Sequence, residues 1–103
     1  MNLRVLAAAE AEIVEARDYL EGKVTGLGDR FVDDLAETLS AIEDQPLRFR
    51  KLETLPDDQP YRRAILAVFR YAVVFEILTG EIAVVAICHT SREPNYWLAR
   101  RKT

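Results

Sequence analysis

The spacing of apolar residues changes once along the chain, and this change constrains the fold more than any other feature. Between residues 7 and 45, apolar residues recur every three or four positions, which is the period of an amphipathic α-helix. After residue 60 they alternate with other residues or run continuously, as in β-strands. The sequence therefore predicts an α+β domain in which a helical half precedes a strand-rich half.

Two helices are predicted in the first half; Gly22 ends the first, and a turn from Lys23 to Gly28 leads to the second. The apolar stripe of the first helix consists of Ala9, Ile13, Ala16 and Leu20, and that of the second consists of Leu27, Phe31, Leu35, Leu39 and Ile42. Pro46 ends the second helix, because the residue before a proline is disfavoured in helical conformation. We expect an antiparallel helical hairpin with Tyr19 and Phe31 in the core.

Four strands are predicted around this hairpin. They are Leu3 to Leu6, Tyr61 to Val68, Tyr71 to Leu78 and Ile82 to Cys88, with Thr79-Gly80 as a hairpin turn between the last two. The last run is continuously apolar, so we expect the first strand to pair beside it and flank it. The predicted order is β-α-α-β-β-β in a single domain over residues 1–103, an α+β fold with the helical hairpin packed on one face of a mostly antiparallel four-stranded sheet.

Charge is divided unevenly along the chain. The net charge is −3, yet residues 1–45 carry 11 acidic and 4 basic residues, a net of −7, whereas residues 46–103 carry 6 acidic and 10 basic residues, a net of +4. If the two halves form separate layers, the molecule has one acidic and one basic face. A partner of either sign would then have its own docking face.

Composition also excludes several classes of site. A single cysteine, Cys88, excludes an internal disulfide and a cysteine-based zinc site within one chain, and we expect it to be a buried small residue. The longest apolar run has seven residues, Ile82 to Cys88, far fewer than the roughly 20 that span a bilayer. No secretory signal is visible. We expect a cytoplasmic protein with no membrane contact, no cofactor and no metal.

The chemically richest stretch follows the last predicted strand, from His89 to Arg100. Histidine exchanges protons near neutral pH, arginine holds phosphate through two hydrogen bonds, and aromatic rings stack on bases. Arginines of the strands could reach the same face. The candidate target- or partner-binding residues are Arg62, Arg63, Arg70, His89, Arg92, Tyr96, Trp97 and Arg100.

Each of these candidates also has a purely structural interpretation. A histidine at the end of a strand more often makes structural hydrogen bonds than it catalyses a reaction. Tyr96 and Trp97, shortly after a proline, are typical of a hydrophobic clasp that holds a tail on the core. The strand arginines would also suit a solvated face opposite the helix carboxylates. The residues alone leave both interpretations open.

Several short motifs, taken in order, resemble the RelE/ParE superfamily of toxins from type II toxin–antitoxin systems, and most closely its ParE-like, plasmid-stabilisation branch. They are Ala8-Ala9-Glu10-Ala11-Glu12-Ile13, Gly26-Leu27-Gly28-x-x-Phe31, Ile42-Glu43-Asp44-Gln45-Pro46, Arg62-Arg63-Ala64, Phe69-Arg70-Tyr71-Ala72-Val73 and His89-x-x-Arg92-Glu93-Pro94-x-x-Trp97. The last motif is the most specific. The motifs are distributed from residue 8 to residue 97, so the resemblance extends over nearly the whole chain.

This resemblance implies a small toxin that a cognate antitoxin wraps and neutralises, with operator DNA contacted only through the antitoxin. In ParE-type toxins the implied target is DNA gyrase, which is inhibited by binding. In RelE-type toxins the implied activity is ribosome-dependent, metal-independent cleavage of mRNA, so the ribosome and mRNA would be the partners. For that alternative the catalytic candidates are Arg63, Arg70, His89, Arg92 and Tyr96.

Two departures from the RelE pattern favour binding over cleavage. The chain has three lysines, Lys23, Lys51 and Lys102, whereas RelE-like nucleases present a lysine-rich catalytic face. The acidic helices would be repelled by ribosomal RNA unless they face away from it. We therefore expect a ParE-like inhibitor that acts without catalysis. A third hypothesis is a module kept mainly for complex formation and operon autoregulation with its antitoxin.

Overall fold

The computed structural model contains the predicted elements in the predicted order. They are β1 (Asn2–Val5), α1 (Ala7–Lys23), α2 (Leu27–Asp44), β2 (Tyr61–Ile65), β3 (Tyr71–Leu78) and β4 (Glu81–His89), with short 3₁₀ helices at Pro46–Arg48 and Tyr96–Ala99. The structure describes residues 1–56 and 59–100. Residues 57–58 of the predicted loop and residues 101–103 of the basic tail lie outside the described residues.

The four strands form one sheet in the order β1-β4-β3-β2. β1 runs parallel to β4, with Leu3 opposite Ile82, and the other two pairings are antiparallel. This confirms the mostly antiparallel sheet and the position of β1 beside the last strand. Five of the nine residues of β4 lie beyond the last β1 pair, Val5 with Val84, so β1 flanks only the first part of β4.

The second strand ends earlier than predicted, at Ile65 instead of Val68. The reason lies in α2, where the buried Asp34 carboxylate accepts hydrogen bonds from the backbone N–H groups of Val68 and Phe69, both at 2.9 Å. Asp34 therefore holds residues 67–70 as a turn against the helices and ends the strand.

Glycines allow the sharp connection between α1 and α2. Gly26 has φ +95°, the left-handed region that favours glycine, and begins the second helix. At Gly28 a Cβ atom would lie 3.0 Å from the Arg17 carbonyl oxygen, so the helices meet here without room for a side chain. The Glu21 carboxylate accepts hydrogen bonds from Gly26 N–H at 3.0 Å and Gly28 N–H at 2.9 Å, which satisfies donors at the start of α2.

The main core lies between the helices and the sheet. Phe31 is fully buried, as predicted, and its ring packs edge-on against Tyr71 with centroids 5.1 Å apart. The prediction for Tyr19 was wrong, because its side chain is 59% exposed. Tyr19 lies one residue before the stripe position Leu20, at the rim of α1, where the Lys23 ammonium sits 5.1 Å from its ring centroid.

The opposite face of the sheet is covered by the C-terminal residues 93–100, which we call the strap. Trp97 in the strap is only 3% exposed and packs against Tyr61 of β2 with ring centroids 4.7 Å apart. Leu6, Val74, Val85 and Ala86 complete the buried part of this smaller apolar cluster. The strap therefore provides a second, thin layer over part of the sheet face that carries neither α-helix, which we call the helix-free face.

Candidate functional site

A cleft of about 320 Å³ opens on the helix-free face, between the sheet and the strap. We call it the strap cleft. Five of the predicted site residues line it, namely Arg63 from β2, His89 from β4, and Arg92, Tyr96 and Trp97 from the segment that follows. Ala72, Val74 and Cys88 also line it. The predicted site residues thus bring polar side chains from two separate parts of the sequence, β2 and the stretch from the end of β4 to Trp97, around a mainly apolar patch of the sheet.

The two arginines of the strap cleft, Arg63 and Arg92, form no ion pair with the described residues. Within residues 1–56 and 59–100, neither Arg63 nor Arg92 has a carboxylate at ion-pair distance, and both side chains are exposed. The Arg92 guanidinium instead lies over the Tyr96 ring, 3.8 Å from its centroid, in a cation–π contact. That contact uses the flat face of the guanidinium and leaves its N–H donors at the edge for a ligand.

His89 has one ring nitrogen committed inside the protein. Its Nδ1 accepts a hydrogen bond from the Ser91 backbone N–H at 3.1 Å and lies 2.7 Å from the Ser91 hydroxyl oxygen. Because a backbone N–H can only donate, the neutral imidazole carries its proton on Nε2. His89 therefore offers an N–H donor, and the edge of its ring is supported by Tyr71 at 5.3 Å.

The Tyr96 hydroxyl points away from His89 and the two arginines and toward α1. It donates a hydrogen bond to the Glu12 carboxylate. Burial, reinforced by this hydrogen bond, raises the pKa of Tyr96 well above its ordinary value. Tyr96 therefore contributes its ring to the strap cleft, whereas its hydroxyl fastens the strap.

Glu12 is the important residue that the sequence analysis missed. Its side chain, 13% exposed, accepts hydrogen bonds from the Tyr96 hydroxyl, from the Ile87 backbone N–H at 2.9 Å and from the Arg100 guanidinium at 2.9 and 3.1 Å. Burial alone would raise the pKa of Glu12, but these hydrogen bonds more than offset it and lower the pKa. One signal was available, since Glu12 lies three residues after Ala9 and four before Ala16, inside the apolar stripe.

Three other predicted site residues have structural roles or lie elsewhere. Arg100 pairs with Glu12 and donates to the Val85 carbonyl oxygen at 2.9 Å, which fixes the end of the strap. Arg62 shares a sheet face with the core residue Ala64 and donates to the Phe49 carbonyl oxygen at 2.6 Å. Arg70 is exposed in the turn before β3 and does not line the strap cleft. Trp97, though at the cleft, is almost fully buried, as the clasp interpretation requires.

A second depression adjoins the strap cleft along the outer side of β2. The two share Leu52, Glu53 and Arg63, and the second also includes the basic loop residues Arg48, Arg50 and Lys51. Glu53 and Glu93 are the carboxylates of this region, and both are exposed. Most of the remaining acidic side chains that the structure describes lie on the helical layer, so the predicted division of charge is present in the fold.

Neither a metal centre nor a membrane span is found in the described part of the chain. There, no three or more histidine, cysteine or carboxylate side chains gather closely enough to hold a metal ion. Neither α-helix combines the length and the apolar character that crossing a bilayer requires.

Comparison with known proteins identifies the family. No curated protein matches the sequence. A solved structure described as the chromosomal ParDE TA system from P. aeruginosa is similar to this chain, with a TM-score of 0.74 over 86% of this chain and 95% of the other, at 16% identity. That likeness supports the fold. Residues 3–94 match the family described as "ParE toxin of type II toxin-antitoxin system, parDE", so the chain belongs to the ParE toxin family.

Proposed function

We propose that this ParE-family toxin arrests growth by binding DNA gyrase, and that a cognate antitoxin neutralises it by covering the binding surface. Family membership over residues 3–94 supports the toxin role. The strap cleft, with Arg63, His89 and Arg92 exposed around it, is the surface that we assign to the target. Operator DNA would be contacted only through the antitoxin.

The bonding of Tyr96 is the observation that favours binding over RNA cleavage. Cleavage without a metal needs a base for the 2′-hydroxyl, cations for the phosphate and an acid for the leaving oxygen. The Tyr96 hydroxyl is already engaged by Glu12 and its pKa is raised, so it is a poor proton donor. Arg70 lies outside the strap cleft. The remaining groups, two guanidiniums and one imidazole, are better suited to holding an anionic group than to moving two protons.

A groove next to the strap cleft supports the antitoxin half of the proposal. It runs between α1 and the last residues of β4 and includes Tyr19, which is exposed although aromatic. Among residues 1–56 and 59–100, no strand pairs with β4 on this side beyond the β1 pairing, and the Ile87 N–H is bonded by the Glu12 side chain instead. An extended antitoxin segment can pair with a strand edge of this kind. A segment in this groove would also meet His89 and Arg92, which line both depressions.

Enzyme assays with the purified chain test the proposed target. DNA supercoiling and DNA cleavage by gyrase are measured beside ribosome-dependent cleavage of mRNA. We expect inhibition of gyrase and intact mRNA, with inhibition reversed by the antitoxin. Cleaved mRNA with unaffected gyrase would establish the RelE-like alternative, in which His89→Ala and Arg92→Ala should each abolish cleavage.

A further inference from the structure

The basic side chains on the helix-free side form one continuous track. Arg92 and Arg63 line the strap cleft, and Arg63 is shared with the depression that contains Arg48, Arg50 and Lys51. Five cationic side chains thus follow one another from Arg92, which precedes the strap, across the sheet edge, to the loop after α2. Two carboxylates, Glu53 and Glu93, accompany them, which leaves the track with a net positive charge.

We propose that this track, made of the strap cleft and the adjoining depression, binds the phosphodiester backbone of a nucleic acid strand. The proposal deepens the proposed function, because it names the chemistry that a gyrase complex carrying DNA would present to the toxin. It can nevertheless be tested without gyrase.

The arrangement of donors fits phosphate groups. Four of the five cations are arginines, whose planar guanidinium makes two parallel hydrogen bonds to a phosphate. Arg92 is held in place by the Tyr96 ring at 3.8 Å, so part of the entropy loss on binding is already incurred in the free protein. The Nε2–H of His89 adds a further N–H donor near Arg92, since its Nδ1 is occupied by Ser91.

Two further features favour a nucleic acid over an acidic protein segment. Ala72, Val74 and the half-buried Cys88 line the cleft beside the cations, so an apolar patch is available to a sugar or a base between consecutive phosphates. Apart from Glu12, which bonds the strap, and Glu15, which lines the neighbouring groove, the carboxylates of α1 and α2 belong to the helical layer, where they repel a polyanion and restrict it to the track. A strand would therefore be directed along one face of the protein.

Fluorescence anisotropy with labelled oligonucleotides tests the proposal. The full chain is titrated into short single-stranded DNA, duplex DNA and single-stranded RNA over a range of salt concentrations. Each phosphate contact to a single strand contributes about 0.7 to the slope of log K against log salt, or about fivefold in affinity near 0.1 M salt. We expect Arg63→Gln and Arg92→Gln each to weaken binding by about fivefold and to make the salt dependence less steep, with the magnitude of the slope reduced by about 0.7.

Matched variants separate a phosphate site from general charge. Arg30→Gln removes the same charge from the exposed surface of α2 and should leave affinity unchanged. Arg92→Lys keeps the charge and should retain the salt slope, so it reports on the site even if Arg92→Gln folds poorly. Circular dichroism verifies that each variant is folded. Equal affinity for DNA and RNA would show that the site recognises the phosphodiester backbone that both share. Tighter binding of one of them would identify that nucleic acid as the ligand of the site.

Three results would overturn the proposal. They are no binding by the wild-type chain, equal loss of affinity in Arg30→Gln and Arg92→Gln, and displacement of the oligonucleotide by poly-glutamate as readily as by unlabelled strand. The last would make an acidic protein segment the ligand. Growth arrest without strand binding would refute this inference alone, whereas strand binding without growth arrest would refute the proposed toxin function alone.

Discussion

Glu12 and Tyr96 lie 84 positions apart in the sequence and are joined by a hydrogen bond between the carboxylate of α1 and the hydroxyl of the strap. Arg100 donates to the same carboxylate, and so does the Ile87 N–H at the open part of β4. One acidic side chain thus connects the helical layer, the sheet edge and the strap. The wall of the strap cleft that carries Tyr96 and Arg92 depends on this connection.

Removing the Glu12 carboxylate should destabilise the protein. Glu12→Ala leaves the Tyr96 hydroxyl, the Ile87 N–H and the Arg100 guanidinium without their acceptor, and we expect the free energy of unfolding to fall by about 2–3 kcal/mol. Urea unfolding measures the change. The exposed neighbour Glu15→Ala is the control and should change stability by less than about 0.5 kcal/mol. Equal effects of the two substitutions would refute the role of Glu12.

The lowered pKa of Glu12 predicts a pH-dependent difference between the wild type and Glu12→Gln. A carboxyl group whose pKa is lower in the folded than in the unfolded protein stabilises the fold. This stabilisation is complete at pH values above the pKa of the unfolded protein, ordinarily 4.5 for glutamate, and it is lost as the pH falls through the pKa of the folded protein. The gap in unfolding free energy between wild type and variant should therefore be constant near neutral pH and shrink below about pH 4.5. A gap that does not change with pH would contradict the assignment.

Asp34 should be essential for the turn that ends β2. Asp34→Ala removes the buried acceptor of two backbone N–H groups, those of Val68 and Phe69, and should cost about 2 kcal/mol. Asp33→Ala, the same change at the exposed adjacent position, should be nearly neutral. Thermal and urea unfolding of the pair compares them directly. Similar losses at both positions would show that the turn does not rely on this carboxylate.

Glycine-to-alanine substitutions should have opposite effects at two positions of the helical hairpin. At Gly28 a Cβ would lie 3.0 Å from the Arg17 backbone oxygen, so Gly28→Ala should destabilise by about 1–3 kcal/mol. At Gly22, near the end of α1, a Cβ meets nothing within 4 Å, and Gly22→Ala should stabilise by up to about 1 kcal/mol. Denaturant unfolding of the two variants measures whether each substitution raises or lowers the free energy of unfolding. Stabilisation by Gly28→Ala would mean that the helices do not meet as described.

The periodic parts of the sequence predicted the fold well because they report burial directly. The stripe through Phe31 and Leu35 located α2, and the continuous run from Ile82 placed β4 inside the sheet with β1 beside it. The end of β2 was wrong because it depends on Asp34, which is distant in sequence. Tyr19 was wrong because a helix stripe does not show which residues at its rim are covered.

The candidate site was only partly readable, since its geometry depends on long-range partners. The sequence grouped His89, Arg92 and Tyr96, which are close along the chain, and the fold brings Arg63 to them across the sheet. The role of Glu12 depends on Tyr96 and Arg100, which lie 84 and 88 positions away in the sequence and which periodicity does not place beside α1. Arg100 and Trp97 were grouped with binding residues, yet their contacts show that they fasten the strap.

The most direct test of the account is bacterial growth after induced expression of the chain without its antitoxin. We predict that the wild type and Arg30→Gln stop growth, and that the double variant Arg63→Gln/Arg92→Gln, produced at the same level and folded, does not. Growth arrest should also be relieved by co-expression of the antitoxin. Unimpaired growth with the wild-type chain would contradict the toxin function, and full arrest by the double variant would contradict the strap cleft as its site.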